Sequence, residues 1–330
     1  MIVSRTPYRI SFVGGGSDLA AYYRRRPGAV IAMAISRYMY VAVNKRFDDS
    51  IRVSYTRTEI VNNVNQLKHD LIREAMKRTG VTSGVEITTI GDIPAGIGLA
   101  SSSSLTVGVL NALYAYQGRY ITADRLAEQA CEIEIERLKR PIGKQDQYIA
   151  AFGGFQHFRF NGDETVAVNP IVCSADARAR LIGDLMLFYS GIQRNSADVL
   201  TDARRQIARN GHTQIALDRL VDLVGEFMDA VSTERLARLG PLLHKGWLLK
   251  KKMSRLVSNA DLDRFYAAAR RAGATGGKVA GAGGGGCLLL MVPKRTQARV
   301  RKTMTGLGLT EIPLGYEHQG SRLVYVGGER

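Results

Sequence analysis

An α+β protein of two joined halves is what the chain encodes, and three observations carry that expectation. β-branched and aromatic runs crowd residues 30–33, 38–44 and 51–55, which suits a mostly antiparallel sheet. Four helical stretches, near 197–209, 214–231, 234–253 and 261–272, make the second half helix-rich around short apolar strands. A composition change near 174–183 separates the halves, so the expected units are 1–180 and 181–330. At 330 residues the chain has ample length for two fused cores.

Taken in order, the first strand is marked by Val3, Ile10 and Phe12 and broken by three glycines in TPYRISFVGGGSD, residues 6–18. Such a loop brings backbone and one carboxylate, Asp18, close to a ligand; alternatively Asp18 caps a helix starting near Leu19. A helix fills 65–78, and a strand at 84–90 alternates Val85, Ile87 and Thr89 with Glu86 and Thr88. That strand leads into DIPAGIGLASSSSL, residues 92–105, and then a helix over 101–116. A glycine-rich turn opening into a helix presents unpaired amides and roughly half a positive charge, so it binds phosphate. Gly96 and Gly98 leave room for an oxyanion, and Ser101 to Ser104 offer hydroxyls. A Pro-Ala-Gly turn is also ordinary punctuation, and no Gly-Lys-Ser of a Walker loop is present.

A further helix covers 123–138 and holds Glu132, Glu134 and Glu136. Positions two apart on an α-helix point about 200° from each other, so at most one or two face a shared site. RPIGKQDQYIAAFGG, residues 140–154, then sets Lys144 and Asp146 at the start of a buried helix. A carboxylate there can act as a base or metal ligand, or can complement the helix dipole. After a strand at 185–189, the last motif is KVAGAGGGGC, residues 278–287, feeding the strand CLLLMV. Five glycines in its ten residues call for close backbone packing or close ligand approach.

Composition narrows the function. The fractions, 45% hydrophobic and 23% charged, are those of a globular protein, and no apolar run is long enough to span a bilayer. The N-terminus, MIVSRTPYRISFV, lacks the signal-peptide pattern, so the expected location is cytoplasmic, with no membrane partner. Cys131, Cys173 and Cys287 have no metal-ligand spacing and are read as reduced thiols. A net charge of +16 favours anionic partners, but the arginines are scattered and no nucleic-acid module is evident. Phosphorylated small molecules fit better than nucleic acid.

Together the three glycine-rich loops resemble motifs one, two and three of the GHMP kinase superfamily. PAGIGLASS matches the central Pro-x-Gly-x-Gly-Leu-x-Ser-Ser signature, and KVAGAGGGGC the C-terminal one. The resemblance runs from about Arg5 to Val292. It implies a ribosomal protein S5 domain 2-like N-terminal domain and a ferredoxin-like C-terminal domain. RTPYRISFVGGGSD, IGKQDQYIAAFGGF, FYSGIQRNSADVL and HKGWLLKKKMS look most like the heptose 7-phosphate kinases within that group. Galactokinase has Gly-Glu-His-Thr-Asp where this chain has Gly14, Gly15, Gly16, Ser17 and Asp18, which weakens a galactose reading.

Carried over residue by residue, the resemblance implies ATP and Mg2+ as cofactors and a phosphosugar as acceptor. Pro94, Gly96, Gly98, Leu99, Ala100, Ser101, Ser102 and Ser103 would bind ATP. Ser102 and Glu134 would hold the metal, with Glu136 as the fallback. Asp146 would be the catalytic carboxylate and Arg9 would offset charge on the attacking oxygen. Asp18, Gly15, Gly16, Gly281, Gly283 and Gly284 would contact substrate. Lys144, Arg194 and Lys278 are assigned to the distal phosphate from position and charge alone. Another sugar such as fucose or galactose, a mevalonate-type acceptor, or a non-catalytic binding protein of this fold are the rival readings, and a homodimer is compatible with all of them.

Overall fold

β1 (Ile2–Val13), α1 (Ala20–Tyr23) and β2 (Gly28–Lys45) open the chain, and the antiparallel β1–β2 pair is the spine on which the site is built. The computed structural model describes residues 1–193, 195–209 and 211–327. β3 (Ile51–Ser54), β4 (Thr58–Val61), α2 (Asp70–Thr79), β5 (Val85–Gly91), α3 (Ser101–Tyr116), α4 (Ala123–Cys131), α5 (Gln145–Phe152), β6 (Phe155–Phe160) and β7 (Val166–Pro170) follow. The runs expected at 30–33 and 38–44 are one strand, because Ile35 and Tyr38 both pair with β1, on either side of a bulge that leaves Ser36 and Arg37 out of the ladder. The far edge of β2 is divided: residues 28–33 pair β6, and 39–45 pair β5. The sheet order is β12 (Arg322–Val326)-β1-β2-β5-β3-β4, with β6 branching from β2 and β7 pairing β6.

Strand alternation sorts side chains to the two faces of this sheet. Val30, Ala32 and Ala34 pack with Val107, Leu110 and Leu113 of α3, while Ile31, Met33 and Ile35 join Tyr8, Ile10 and Phe12 on the other side. All of these are buried. On β1, Arg9 and Ser11 alternate with Tyr8, Ile10 and Phe12, so the two polar side chains share a face.

The rest of the chain is α6 (Ala175–Gly183), β8 (Leu185–Tyr189), α7 (Ser196–Arg209), α8 (Gly211–Ser232), α9 (Leu239–Lys251), α10 (Ala260–Ala272), β9 (Gly276–Val279), β10 (Cys287–Met291), α11 (Lys294–Gly306), β11 (Thr310–Ile312) and β12 (Arg322–Val326). β8 to β11 form an antiparallel sheet ordered β11-β8-β10-β9, the βαββαβ arrangement of a ferredoxin-like unit. Leu217, Leu220 and Phe227 of α8 pack with Ile10 and Phe12, and the Phe12 and Phe227 ring centroids are 5.1 Å apart. One core therefore runs from the first sheet into the second half.

Several expectations change. The stretch at 174–183, expected as the boundary between the halves, is helix α6, with Ser174 Oγ accepting from Ala177 N. The expected unit 181–330 does not account for β12, which returns to pair β1 at the edge of the first sheet. The helix expected at 65–78 starts at Asp70, because Asn63 and Gln66 close a separate capped turn over Val64–Gln66. The helix expected at 234–253 starts at Leu239. β4, β6, β7, β9, α11, β11 and β12 were not anticipated.

Candidate active site

β5 delivers the chain to the loop before α3. Ala100 sits at φ +70° and offers α3 no side-chain cap, so the first amides of the helix find no acceptor there. Ser101, Ser102 and Ser103 occupy that first turn and line a cavity of about 600 Å³. Gly98, at φ +90°, touches the C-terminal glycine loop: a Cβ would stand 2.7 Å from Ala280 O, and one at Gly281 would stand 2.8 Å from Gly98. Only glycine permits two backbones to meet this closely. Gly96 and Ala100 line the same cavity, whereas Pro94 and Leu99 do not; Leu99 is a core residue whose carbonyl accepts from Arg9 N at 3.2 Å.

Behind the serines lies Glu134, fully buried. It accepts hydrogen bonds from Ser102 Oγ, from Ser103 Oγ at 2.7 Å and from Gln147 Nε2 at 2.6 Å. Burial pushes its carboxyl pKa up, and the bonds from Ser102 and Ser103 with the charge of Arg140 pull it partly back. The expected α-helix over 123–138 becomes a wider π-helical turn at Glu132–Arg137, closed by Leu138 N to Ile133 O at 3.0 Å. Glu132 pairs with Arg78 and Arg137, Glu136 is exposed, and Glu134 alone of the three turns to the serines. Arg140, which was not anticipated, donates to Ser102 Oγ at 2.7 Å and to both oxygens of Asp70 at 3.0 Å.

The second cluster crosses from β1 to the start of α5. Arg9 Nε and Nη2 each donate to Asp146 at 2.8 Å, a bidentate pair, and Arg9 Nη1 donates to Gly98 O at 2.8 Å. One guanidinium thereby ties the loop before α3 to Asp146. Asp18, 3% exposed, accepts from Gly16 N at 2.9 Å and Gln145 Nε2 at 3.1 Å. Burial raises its pKa, those bonds lower it, and nearby Asp146 raises it further. Gly143 is bare because a Cβ there would overlap Asp18 Oδ2 at 2.0 Å.

The cavity thus gathers Arg9, Gly15, Gly16, Asp18, Ser102, Asp146 and Gly281 from the front, middle and rear of the chain. Other expected contacts lie elsewhere. Gly283 and Gly284 do not line the cavity: a Cβ at Gly283 would stand 2.5 Å from Val257 O, and Gly284 N donates to that carbonyl at 2.6 Å, so both serve loop packing. Lys144 turns away to Glu164, 2.6 Å from its carboxylate, and over the Tyr23 ring. Lys278 is buried against Ser11 O at 2.9 Å and Phe12 O at 3.3 Å, and its pKa is held well below the usual lysine value by burial and by Lys250. Arg194 lies outside the described residues. Lys250, which sequence reasoning missed, lines the cavity with its ammonium donating to Gly281 O. Its signal was present in HKGWLLKKKMS, but three adjacent lysines gave no direction.

The chain is similar to known proteins over most of its length. The family description "GHMP kinases N terminal domain" matches residues 58–154, and "GHMP kinases C terminal" matches 227–306, together more than half of the chain. A D-glycero-alpha-D-manno-heptose 7-phosphate kinase from Campylobacter jejuni is 30% identical over 293 residues, 84% of this chain and 86% of that protein. The chain belongs to the GHMP kinase family. A galactokinase of Pyrococcus furiosus is 25% identical, with 89% of each chain covered. Among solved structures, a D-glycero-D-manno-heptose 1-phosphate kinase from Bacteroides thetaiotaomicron superposes with TM-score 0.83 at 24% identity, covering 99% of this chain and 100% of that one. A Methanococcus jannaschii mevalonate kinase gives TM-score 0.76 at 19% identity, covering 96% and 98%. This GHMP kinase is accordingly a phosphotransferase with an alcohol acceptor on a small molecule and ATP as donor. Among the described residues no helix is long and apolar enough to cross a membrane.

Proposed function

We propose that this GHMP kinase transfers the γ-phosphate of ATP to the anomeric hydroxyl of D-glycero-D-manno-heptose 7-phosphate, giving the 1,7-bisphosphate, in the cytoplasm. The observation that carries the reading is the Arg9 fork, which joins Asp146 to Gly98 and so couples the acceptor side of the cavity to the phosphate side. The name of the Campylobacter relative supports a heptose 7-phosphate as acceptor.

Phosphoryl transfer needs in-line positioning and charge neutralisation more than covalent help. The triphosphate lies against the bare backbone of Gly96 and Gly98 and the α3 amides. Ser102 and Glu134 present hard oxygens in mutual contact, a donor set that suits Mg2+, which takes one or two protein oxygens and leaves its other positions to phosphate and water. When bound, the metal neutralises charge on the phosphate oxygens. Asp18, with the backbone of Gly15 and Gly16, holds the sugar. Asp146 takes or orients the proton of the anomeric hydroxyl, and Arg9 offsets the charge that develops on that oxygen. Arg140 and Lys250, with Arg9, are the lysine and arginine side chains lining the cavity among the described residues, so the distal phosphate of the sugar is assigned to Lys250 in place of Lys144 and Lys278.

ADP release measured with heptose 7-phosphate, unphosphorylated heptose, galactose, fucose and mevalonate tests the reading. The heptose 7-phosphate should give the highest kcat/KM, and removal of its phosphate should abolish most of that efficiency. Preference for mevalonate or for an unphosphorylated sugar would refute it.

A further inference from the structure

Past the π-helical turn the chain doubles back toward the serines of α3. Lys139 takes φ +53°, a left-handed conformation that costs a residue with a Cβ about 1–2 kcal/mol, and Arg140 N donates to Glu134 O at 3.0 Å. The side chain of Arg140 then joins two helices. Its Nη1 donates to Ser102 Oγ at 2.7 Å and stands 3.5 Å from Glu134 Oε1, while its Nη2 donates to both oxygens of Asp70, at the start of α2, at 3.0 Å.

Donors remain on this guanidinium. Of its five N–H groups, the one on Nε bonds to none of the described residues, yet Nε is not among the buried atoms left without a partner, so solvent reaches it. Arg140 keeps 28% of its side chain exposed and lines the cavity together with Ser101, Ser102 and Ser103. Asp70 lines the same cavity with 41% of its side chain exposed. Alone, a carboxylate there would repel a triphosphate. Paired with Arg140 it holds the planar fork in one orientation, which lowers the entropy lost when the remaining donors meet a ligand.

We propose that Arg140, anchored by Asp70, is a phosphate-contacting residue that donates its remaining N–H groups to oxygens of the ATP triphosphate on the first turn of α3. This deepens, and rests on, the reading of that turn as the triphosphate site. Arg9 is committed to Asp146 and Gly98, and the Lys250 ammonium donates to Gly281 O in the rear loop, so among the described residues lining the cavity Arg140 is the cation bonded to the serine turn. Asp70 acts through it as a positioning residue. Deleting an acidic charge beside a polyanion ordinarily tightens binding, whereas deleting Asp70 loosens Arg140 and weakens it.

Calorimetric titration of the full chain with the non-hydrolysable nucleotide AMP-PNP, in Mg2+ and in EDTA, and with adenosine tests this on Arg140→Met, Asp70→Ala and the double variant. Arg140→Met should bind AMP-PNP roughly 10- to 100-fold more weakly in both solutions, as loss of hydrogen bonds to a charged group does, and keep its adenosine affinity. The drop in EDTA sets direct phosphate contact apart from an effect through Ser102 on the metal. Asp70→Ala should weaken AMP-PNP binding about threefold or more on its own and tighten it in the Arg140→Met background, a reversal of sign that general loss of structure would not give. Unchanged AMP-PNP affinity in Arg140→Met, a drop confined to Mg2+, an equal drop for adenosine, or tighter binding by Asp70→Ala alone would overturn the proposal. Gly98→Ala keeps the two readings apart. If it weakens AMP-PNP binding while Arg140→Met does not, the triphosphate site stands without Arg140; if neither weakens it, the α3 turn is not that site and both readings go.

Discussion

Arg9 on β1 and Asp146 at the start of α5 stand 137 positions apart and are joined by two hydrogen bonds of 2.8 Å. Arg9 is almost wholly enclosed, whereas the Asp146 side chain keeps 26% of its surface open toward the cavity. A planar fork meeting both carboxylate oxygens fixes the orientation of the carboxylate as well as its position. The pair fits an orienting group for an incoming hydroxyl. An anomeric hydroxyl is more acidic than an ordinary alcohol, so a strong base is not required of Asp146.

Replacing Asp146 by Asn keeps the size and removes the charge. Expected is a fall in kcat on the order of 10² to 10⁴, with KM for ATP little altered. Steady-state kinetics on a variant with wild-type circular dichroism checks it; unchanged kcat would remove Asp146 from its catalytic role.

Gly96 and Gly98 both have positive φ, +84° and +90°, but only Gly98 is packed against another backbone. Gly96→Ala should cost about 1–2 kcal/mol of stability, the usual penalty for left-handed backbone. Gly98→Ala should cost more and weaken nucleotide binding, because the new methyl meets Ala280 O. Thermal melts and nucleotide titrations of the two variants separate these effects, and equal losses would contradict the contact between the loops.

Glu134→Gln leaves a side chain of similar shape facing Ser102 and Ser103. The Mg2+ concentration for half-maximal activity should rise on the order of 10-fold or more, with kcat recovering at high Mg2+. A loss that excess Mg2+ fails to restore would make Glu134 a packing residue.

Lys278 couples stability to pH. Its folded-state pKa is depressed by burial, so between that value and the unfolded value near 10.5 the unfolded chain binds more protons than the native one. Stability therefore rises with pH through this window. Lys278→Met removes the ionisable group and should flatten that rise and stabilise the protein at neutral pH. Urea denaturation at several pH values measures the slope; an unchanged slope would contradict the burial account.

Local signals explain what sequence could reveal. The three glycine loops, α3 and Asp146 are marked by glycine density, hydrophobic periodicity and a polar cluster, all confined to short windows. β12 is not marked in this way, since Arg322 to Val326 are all exposed on an edge and show no alternation of burial. Its pairing with β1 depends on contacts with the other end of the chain. Lys144 and Lys278 show a different limit: charge was legible, but direction was set by Glu164 in one case and by the Ser11 and Phe12 carbonyls in the other. The π-helical turn at Glu132–Arg137 looks like ordinary α-helix by pattern, so among its three glutamates the resemblance, and not the periodicity, pointed to Glu134.

The most direct measurement is phosphorus NMR of the product formed from ATP and D-glycero-D-manno-heptose 7-phosphate, with wild-type protein and with Asp146→Asn. Expected is a second phosphate ester whose signal couples to the anomeric proton, formed by the wild type and nearly absent with the variant. A phosphate on any other oxygen, or equal product from both proteins, would contradict the account.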